Sequence, residues 1–135
     1  MRIEALFTYG TLMCPEVLAA VAGATGAARP ARLPGYARRR VRGAVWPGIL
    51  PRPGASVDGV LWSGLGAAAL ARLDRYEGAA FRREAVVVTT VKGEVPAQAY
   101  VLAARHRWRL TSHDWAPEAF RARYLEDTLA RLAGG

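Results

Sequence analysis

At Gly78 the chain changes period, and that switch limits what it can fold into. Upstream, Ala67, Leu70 and Leu73 recur at helical spacing and the pattern stops at the glycine. Downstream, Phe81 to Val91 is rich in β-branched residues, Lys92-Gly93-Glu94 supplies a turn, and Val95 to Ala103 returns as a hairpin partner. A helix that runs straight into an antiparallel hairpin does not build a regularly alternating parallel sheet.

The other segments agree. Ile3 to Tyr9 reads as a buried first strand broken by Gly10, and a helix is expected from Cys14-Pro15-Glu16 to Gly23, with proline suited to the first helical position. Arg29 to Pro34 reads as a loop leading into a strand that carries Gly35, Tyr36 and the arginine run. Trp46 to Gly54 is so rich in proline and glycine that a fixed, packed loop is expected. Val57 to Leu65 resumes as strand, with Val60 and Trp62 on one face and Leu61 on the other. A last helix is expected from about Pro117 to Leu132. Five to six strands and three helices predict one α+β domain over residues 1–135, a small mixed β-barrel with flanking helices.

The formal charge of +8 comes almost wholly from arginine, since Lys92 is the only lysine. Such a balance suits nucleic acid or a small anion. Arg38-Arg39-Arg40-Val41-Arg42 falls on a strand, however, where alternate residues face apart, and no nucleic-acid-binding motif accompanies it. The composition carries no apolar run of about 18 residues and no signal-peptide architecture, so a cytoplasmic location is expected and no membrane partner. Cys14 is the sole cysteine, which rules out an internal disulfide and a multi-cysteine metal site; a small buried side chain is expected there. No metal or cofactor is called for, and His106 and His113 have no assigned role. Oligomeric state is open.

Two features carry chemistry. Glu77 is the last residue of the helical pattern, and at 100° per residue it falls only about 20° from Leu70, so its carboxylate points toward the core. Burial and the negative end of the helix both raise a carboxyl pKa, which suits general acid/base work. A structural ion pair with Arg82 or Arg83 explains the same position equally well. The second feature is Tyr9-Gly10-Thr11-Leu12, a glycine-containing loop between strand and helix whose backbone N–H groups suit an anion, and which read alone is also an ordinary turn. A His113-Asp114 pair is a weaker catalytic candidate.

Taken in order, these pieces resemble the gamma-glutamylcyclotransferase-like family, in particular its gamma-glutamylamine cyclotransferase and AIG2-like branch. The likeness rests on Tyr9-Gly10-Thr11-Leu12, on Trp46-Pro47-Gly48-Ile49 followed by Val57-Asp58-Gly59-Val60-Leu61-Trp62, on Leu73-Asp74-Arg75-Tyr76-Glu77-Gly78 with Phe81 and Arg83, and on Ala99-Tyr100-Val101-Leu102. It implies a mixed barrel with a cavity at one end, Tyr9, Gly10, Thr11 and Leu12 holding a small anionic gamma-glutamyl substrate, and Glu77 as acid/base. Arg83, Tyr36 and Tyr100 are candidate supports. The implied reaction closes the gamma-glutamyl group to 5-oxoproline and releases an amine. Thr11 stands where serine is common and keeps the hydroxyl; Phe81 stands where tyrosine is frequent and lacks the phenol. Two alternatives are a non-catalytic binder of a small anion on the same fold and a basic nucleic-acid-associated protein.

Overall fold

The computed structural model describes residues 5–134. Its strands are β1 (Ala5–Thr8), β2 (Ala27–Arg40), β3 (Pro47–Ser63), β4 (Phe81–Thr90) and β5 (Gly93–Leu102). The helices are α1 (Pro15–Ala22), α2 (Gly66–Glu77), α3 (Pro117–Arg123) and α4 (Leu125–Gly134), with short 3-10 turns at Thr11–Met13 and Ala104–Arg109. The strands close a barrel in the order β1-β3-β2-β4-β5. Four of its pairings are antiparallel, and the fifth, between β1 and β5, is parallel, with Leu6 opposite Gln98 and Phe7 opposite Ala99. The sheet is therefore mixed, and closure removes its open edges.

Strand alternation sorts the core into two parts. Phe7, Leu33, Ile49, Leu61, Val88 and Val101 fill the barrel interior. Their neighbours Leu6, Trp62 and Tyr100 face outward, where Val17 and Leu18 of α1, Leu70 and Leu73 of α2, Phe120 of α3 and Leu125 of α4 cover them. Val60 and Trp62 thus share one face and Leu61 takes the other, as the alternation predicts. Gly59 has a specific reason: a Cβ there would stand 2.2 Å from the Thr8 carbonyl oxygen and 2.7 Å from Phe7 Cζ, so only glycine lets β3 lie this close to β1.

Three sequence expectations change. Trp46 to Gly54 is strand from Pro47 onward, paired with β2: Pro47 faces Arg40, Ile49 faces Arg38 and Pro51 faces Tyr36. The pairing breaks between Pro34 and Tyr36, where residues 52–55 stand opposite Gly35 alone (φ 83°). The bulge absorbs the glycines and prolines that suggest a loop. Pro30 and Pro34 likewise belong to β2, whose register with β4 is a single pair, Arg32 with Thr89, so proline interrupts little there.

The third change is at the C-terminus, where the single helix divides at Tyr124 (φ −125°). Phe120 and Leu125 are five residues apart and would point about 140° apart on a straight helix. The break lets both enter the same core. The first strand is described from Ala5, so Ile3 lies outside the described residues. No helix among the described residues is long and apolar enough to cross a membrane.

Candidate active site

A cavity of about 330 Å³ opens where β1 ends. Its wall is continuous from Phe7 through Leu12, and is completed by Tyr76 and Glu77 of α2, Ala80 and Phe81 after it, Tyr100 of β5, and Trp46, Pro47 and Arg109. The size is within the usual range for small-molecule sites.

The Tyr9–Leu12 loop is held on both sides. The Tyr9 phenol donates to the Tyr100 carbonyl at 2.5 Å, and the Tyr9 carbonyl accepts from Arg38 Nη1 at 2.9 Å. The first bond of the turn runs from Met13 N–H to the Gly10 carbonyl at 2.9 Å, so the amides of Gly10, Thr11 and Leu12 have no acceptor within the turn and belong to the cavity wall. Gly10 has φ −127°, outside the left-handed region, and its role is space: a Cβ would lie 2.8 Å from Pro47 Cδ. Thr8 is committed to structure, donating to the Val60 carbonyl and accepting from Trp62 Nε1, each at 3.1 Å.

Arg38 fastens this loop to the C-terminal region. Its guanidinium also forks onto Asp114 (Nε to Oδ1, 2.8 Å) and lies 5.5 Å from the Trp115 ring centroid. Burial would raise the Asp114 carboxyl, but Arg38 and the Trp115 N–H outweigh it and hold it low. Asp114 is therefore spent on Arg38, His113 is exposed, and neither lines the cavity. Burial pushes the Cys14 thiol up against the opposing charge of Arg121, and the sulfur is packed in the helical core.

Glu77 closes the last turn of α2, below the buried Leu70 and Leu73, and Gly78 follows at φ 74°. Its carboxyl is half-buried in the cavity wall, and desolvation raises its pKa to about 7. It makes no ion pair among the described residues. Arg83 instead grips Asp74, Nε to Oδ1 at 2.9 Å and Nη2 to Oδ2 at 3.1 Å, and also bonds the Gln98 side chain. Arg82 is exposed.

Tyr100 donates to Asp74 Oδ1 at 2.6 Å, which joins the cavity floor to this network. Burial would raise Asp74, yet the bonds from Arg83 and Tyr100 hold it below the usual carboxylate range. Burial raises the phenols of Tyr9, Tyr76 and Tyr100, and the nearby Glu77 charge raises each further, so all three remain protonated donors at neutral pH.

Of the residues singled out in the sequence, Tyr9, Gly10, Thr11, Leu12, Glu77 and Tyr100 meet at one cavity. Arg83 stands behind it, on Asp74. Tyr36 packs against the barrel interior opposite Pro51 and does not reach the cavity. Tyr76 and Arg109, neither singled out by itself in the sequence, also line the cavity, and Asp74 is the acceptor of Arg83. The spacing of Asp74 three residues before Glu77, on one helix turn, is the signal that marks it.

Residues 6–117 match the family described as "Gamma-glutamyl cyclotransferase, AIG2-like". The chain is 30% identical to AIG2-like protein A of Arabidopsis thaliana over 86 residues, which is 64% of this chain and 52% of that protein, so it spans about half of that relative's length. A solution structure from Arabidopsis thaliana superposes with a TM-score of 0.75 at 26% identity, covering 99% of this chain and 82% of the other. A structure named gamma-glutamyl cyclotransferase shares the fold at a TM-score of 0.70 and 19% identity, covering 98% of this chain and 87% of that one. With its mixed barrel and with most of its length inside the match, the chain belongs to the gamma-glutamyl cyclotransferase, AIG2-like family.

Proposed function

We propose that this protein cyclises the gamma-glutamyl group of a small amide or peptide to 5-oxoproline, with Glu77 as general acid and base. The observation that carries the reading is a carboxyl in a cavity wall with no cation on it among the described residues, its pKa raised to about 7 by desolvation, in the same wall as the Gly10, Thr11 and Leu12 amides, which have no acceptor within their turn. A base is most useful when its pKa lies near the working pH.

In this scheme the amides of Gly10, Thr11 and Leu12 bind the alpha-carboxylate of the substrate, which holds the alpha-nitrogen against its own gamma-carbon. Because the reaction is intramolecular, selecting that folded conformer removes much of the entropic part of the barrier. Glu77 takes a proton from the alpha-ammonium, and the neutral amine attacks the gamma-carbonyl. The new C–N bond closes the lactam and the old one breaks. The two protons lost by the attacking nitrogen, one before and one after attack, reappear on the departing nitrogen, so Glu77 ends as it began. The phenols of Tyr9, Tyr76 and Tyr100 keep the surroundings uncharged, which maintains the raised pKa.

The test is release of 5-oxoproline from a panel of gamma-glutamyl amides and dipeptides by the wild type and Glu77→Gln. The variant is nearly isosteric and cannot take the proton, so it should fold and lose release by about 10³-fold. Undiminished turnover in folded Glu77→Gln would falsify the assignment. Binding of the panel without release by the wild type would make the protein a binding module on this fold.

A further inference from the structure

Arg109 is the only cation lining the cavity among the described residues. Arg32, Arg38, Arg83 and Arg121 each pair with a carboxylate, whereas the Arg109 side chain makes neither an ion pair nor a hydrogen bond among the described residues. It is held by other means. Its guanidinium lies 5.7 Å from the Trp46 ring centroid, and Trp46 in turn meets the edge of Phe81 at 5.6 Å. The Arg42 N–H donates to the Arg109 carbonyl at 2.8 Å, and Val41 bridges Leu110, so the backbone is fixed to the arm that precedes β3. A guanidinium held over an aromatic ring keeps N–H donors for a planar, bidentate acceptor, and a carboxylate has that geometry.

We infer that Arg109 receives a carboxylate carried by the departing amine. The preferred substrates are then gamma-glutamyl derivatives of amino acids or short peptides with a free carboxylate near the scissile amide, over those of simple amines. This rests on the cyclisation proposed above, in which the alpha-carboxylate already has the amides of Gly10, Thr11 and Leu12 and the ammonium has Glu77. Arg109 enters from a separate segment, beside Trp46, Pro47 and Phe81, and leaves a place for a second anion with apolar surface around it. Losing a charged hydrogen-bond partner at such a place costs about tenfold to a hundredfold in recognition.

The experiment uses gamma-glutamylglycine and gamma-glutamylglycinamide, which differ only in the terminal carboxylate. Wild-type kcat/KM should favour the acid by about tenfold or more, Arg109→Gln should bring the acid-to-amide ratio toward one, and Arg109→Lys should restore part of it. Calorimetric binding of the same pair to Glu77→Gln, alone and combined with Arg109→Gln, reads the preference without turnover. A ratio near one in the wild type, or a ratio that Arg109→Gln leaves unchanged, overturns the inference. That second result includes equal losses on both substrates, as expected if Arg109 holds the glutamyl end. Selective binding that depends on Arg109 but comes without any 5-oxoproline supports the carboxylate site and overturns the cyclisation. Absence of both overturns both.

Discussion

Asp74 and Glu77 stand on the same final turn of α2, three residues apart, in opposite electrostatic settings. Asp74 turns toward β4 and β5, where Arg83 and the Tyr100 hydroxyl hold it ionised. Glu77 turns into the cavity among phenols and apolar groups, where nothing offsets its desolvation and its pKa rises to about 7. Identical chemistry and nearly identical sequence positions yield a structural anion in one case and a candidate base in the other. What separates them is where the arginine goes: Arg83 satisfies the carboxylate outside the cavity, and the one inside has no counter-ion among the described residues. Environments that push two neighbouring carboxyls apart in pKa are a recurring way of dividing roles between them.

The largest effect that can break this comparison is at Glu77 itself. Glu77→Gln should lower 5-oxoproline release by about 10³-fold, whereas Asp74→Asn, which removes the other carboxylate, should cost activity far less. Comparable losses from the two, measured on folded proteins, would show that both carboxyls act in one unit.

Asp74→Asn should instead lower stability, because the part-exposed Arg83 loses the bidentate Asp74 carboxylate. A loss of about 1–2 kcal/mol is expected, discounted for the exposure of Asp74, and seen as a fall in Tm of several degrees. An unchanged Tm would mean the pair is too solvated to matter.

pH supplies a third test of similar size. A folded-state pKa of about 7 exceeds the ordinary carboxyl value of 4.5, so the folded protein binds the extra proton between these limits. Through this group stability falls as pH rises from 4.5 past 7, by up to about 3 kcal/mol in all. Asp74 has the opposite sign: its lowered pKa contributes stability above the unfolded carboxyl value, lost in acid. Thermal melts of the wild type and Glu77→Gln from pH 5 to 9 should diverge, the variant gaining relative stability toward pH 9. The kcat/KM profile should fall below a limb near pH 7, as expected of a base in the free enzyme.

Gly10→Val acts on the loop side. Its branched side chain meets Pro47, which must shift the loop, so KM should rise by about tenfold with little loss in kcat if the amides serve binding alone. The smallest effect is expected for Tyr100→Phe, which removes one donor from Asp74 and leaves the Arg83 fork: about 0.5–1.5 kcal/mol of stability, with Asp74 titrating higher. NMR titration of Asp74 in that variant checks the shift.

Much of this was legible in the chain itself. Gly78 marks the end of α2, the Lys92-Gly93-Glu94 turn announces the β4–β5 hairpin, and Leu70, Leu73 and Glu77 fall on one face by periodicity. These are local signals, set by glycine conformation and by 3.6- and 2-residue repeats. The order of motifs also led to the family. The path of residues 47–56 was not legible, because whether prolines and glycines make a loop or a bulged strand depends on a partner strand far away in sequence. The break at Tyr124 has the same cause, since two core residues must be brought into phase with one surface.

The sequence by itself determined that a carboxylate would sit at the core-facing end of α2 and that a glycine loop would follow β1. Only the tertiary structure decided which carboxylate receives Arg83. Ion pairing depends on distances of a few ångströms: the hairpin register sets Arg83 of β4 beside Tyr100 of β5, and the packing of α2 against that sheet brings both onto Asp74. Tertiary packing likewise brings Arg109 and Trp46 into the cavity wall, over 30 residues from Glu77 on either side, a proximity that no local pattern encodes.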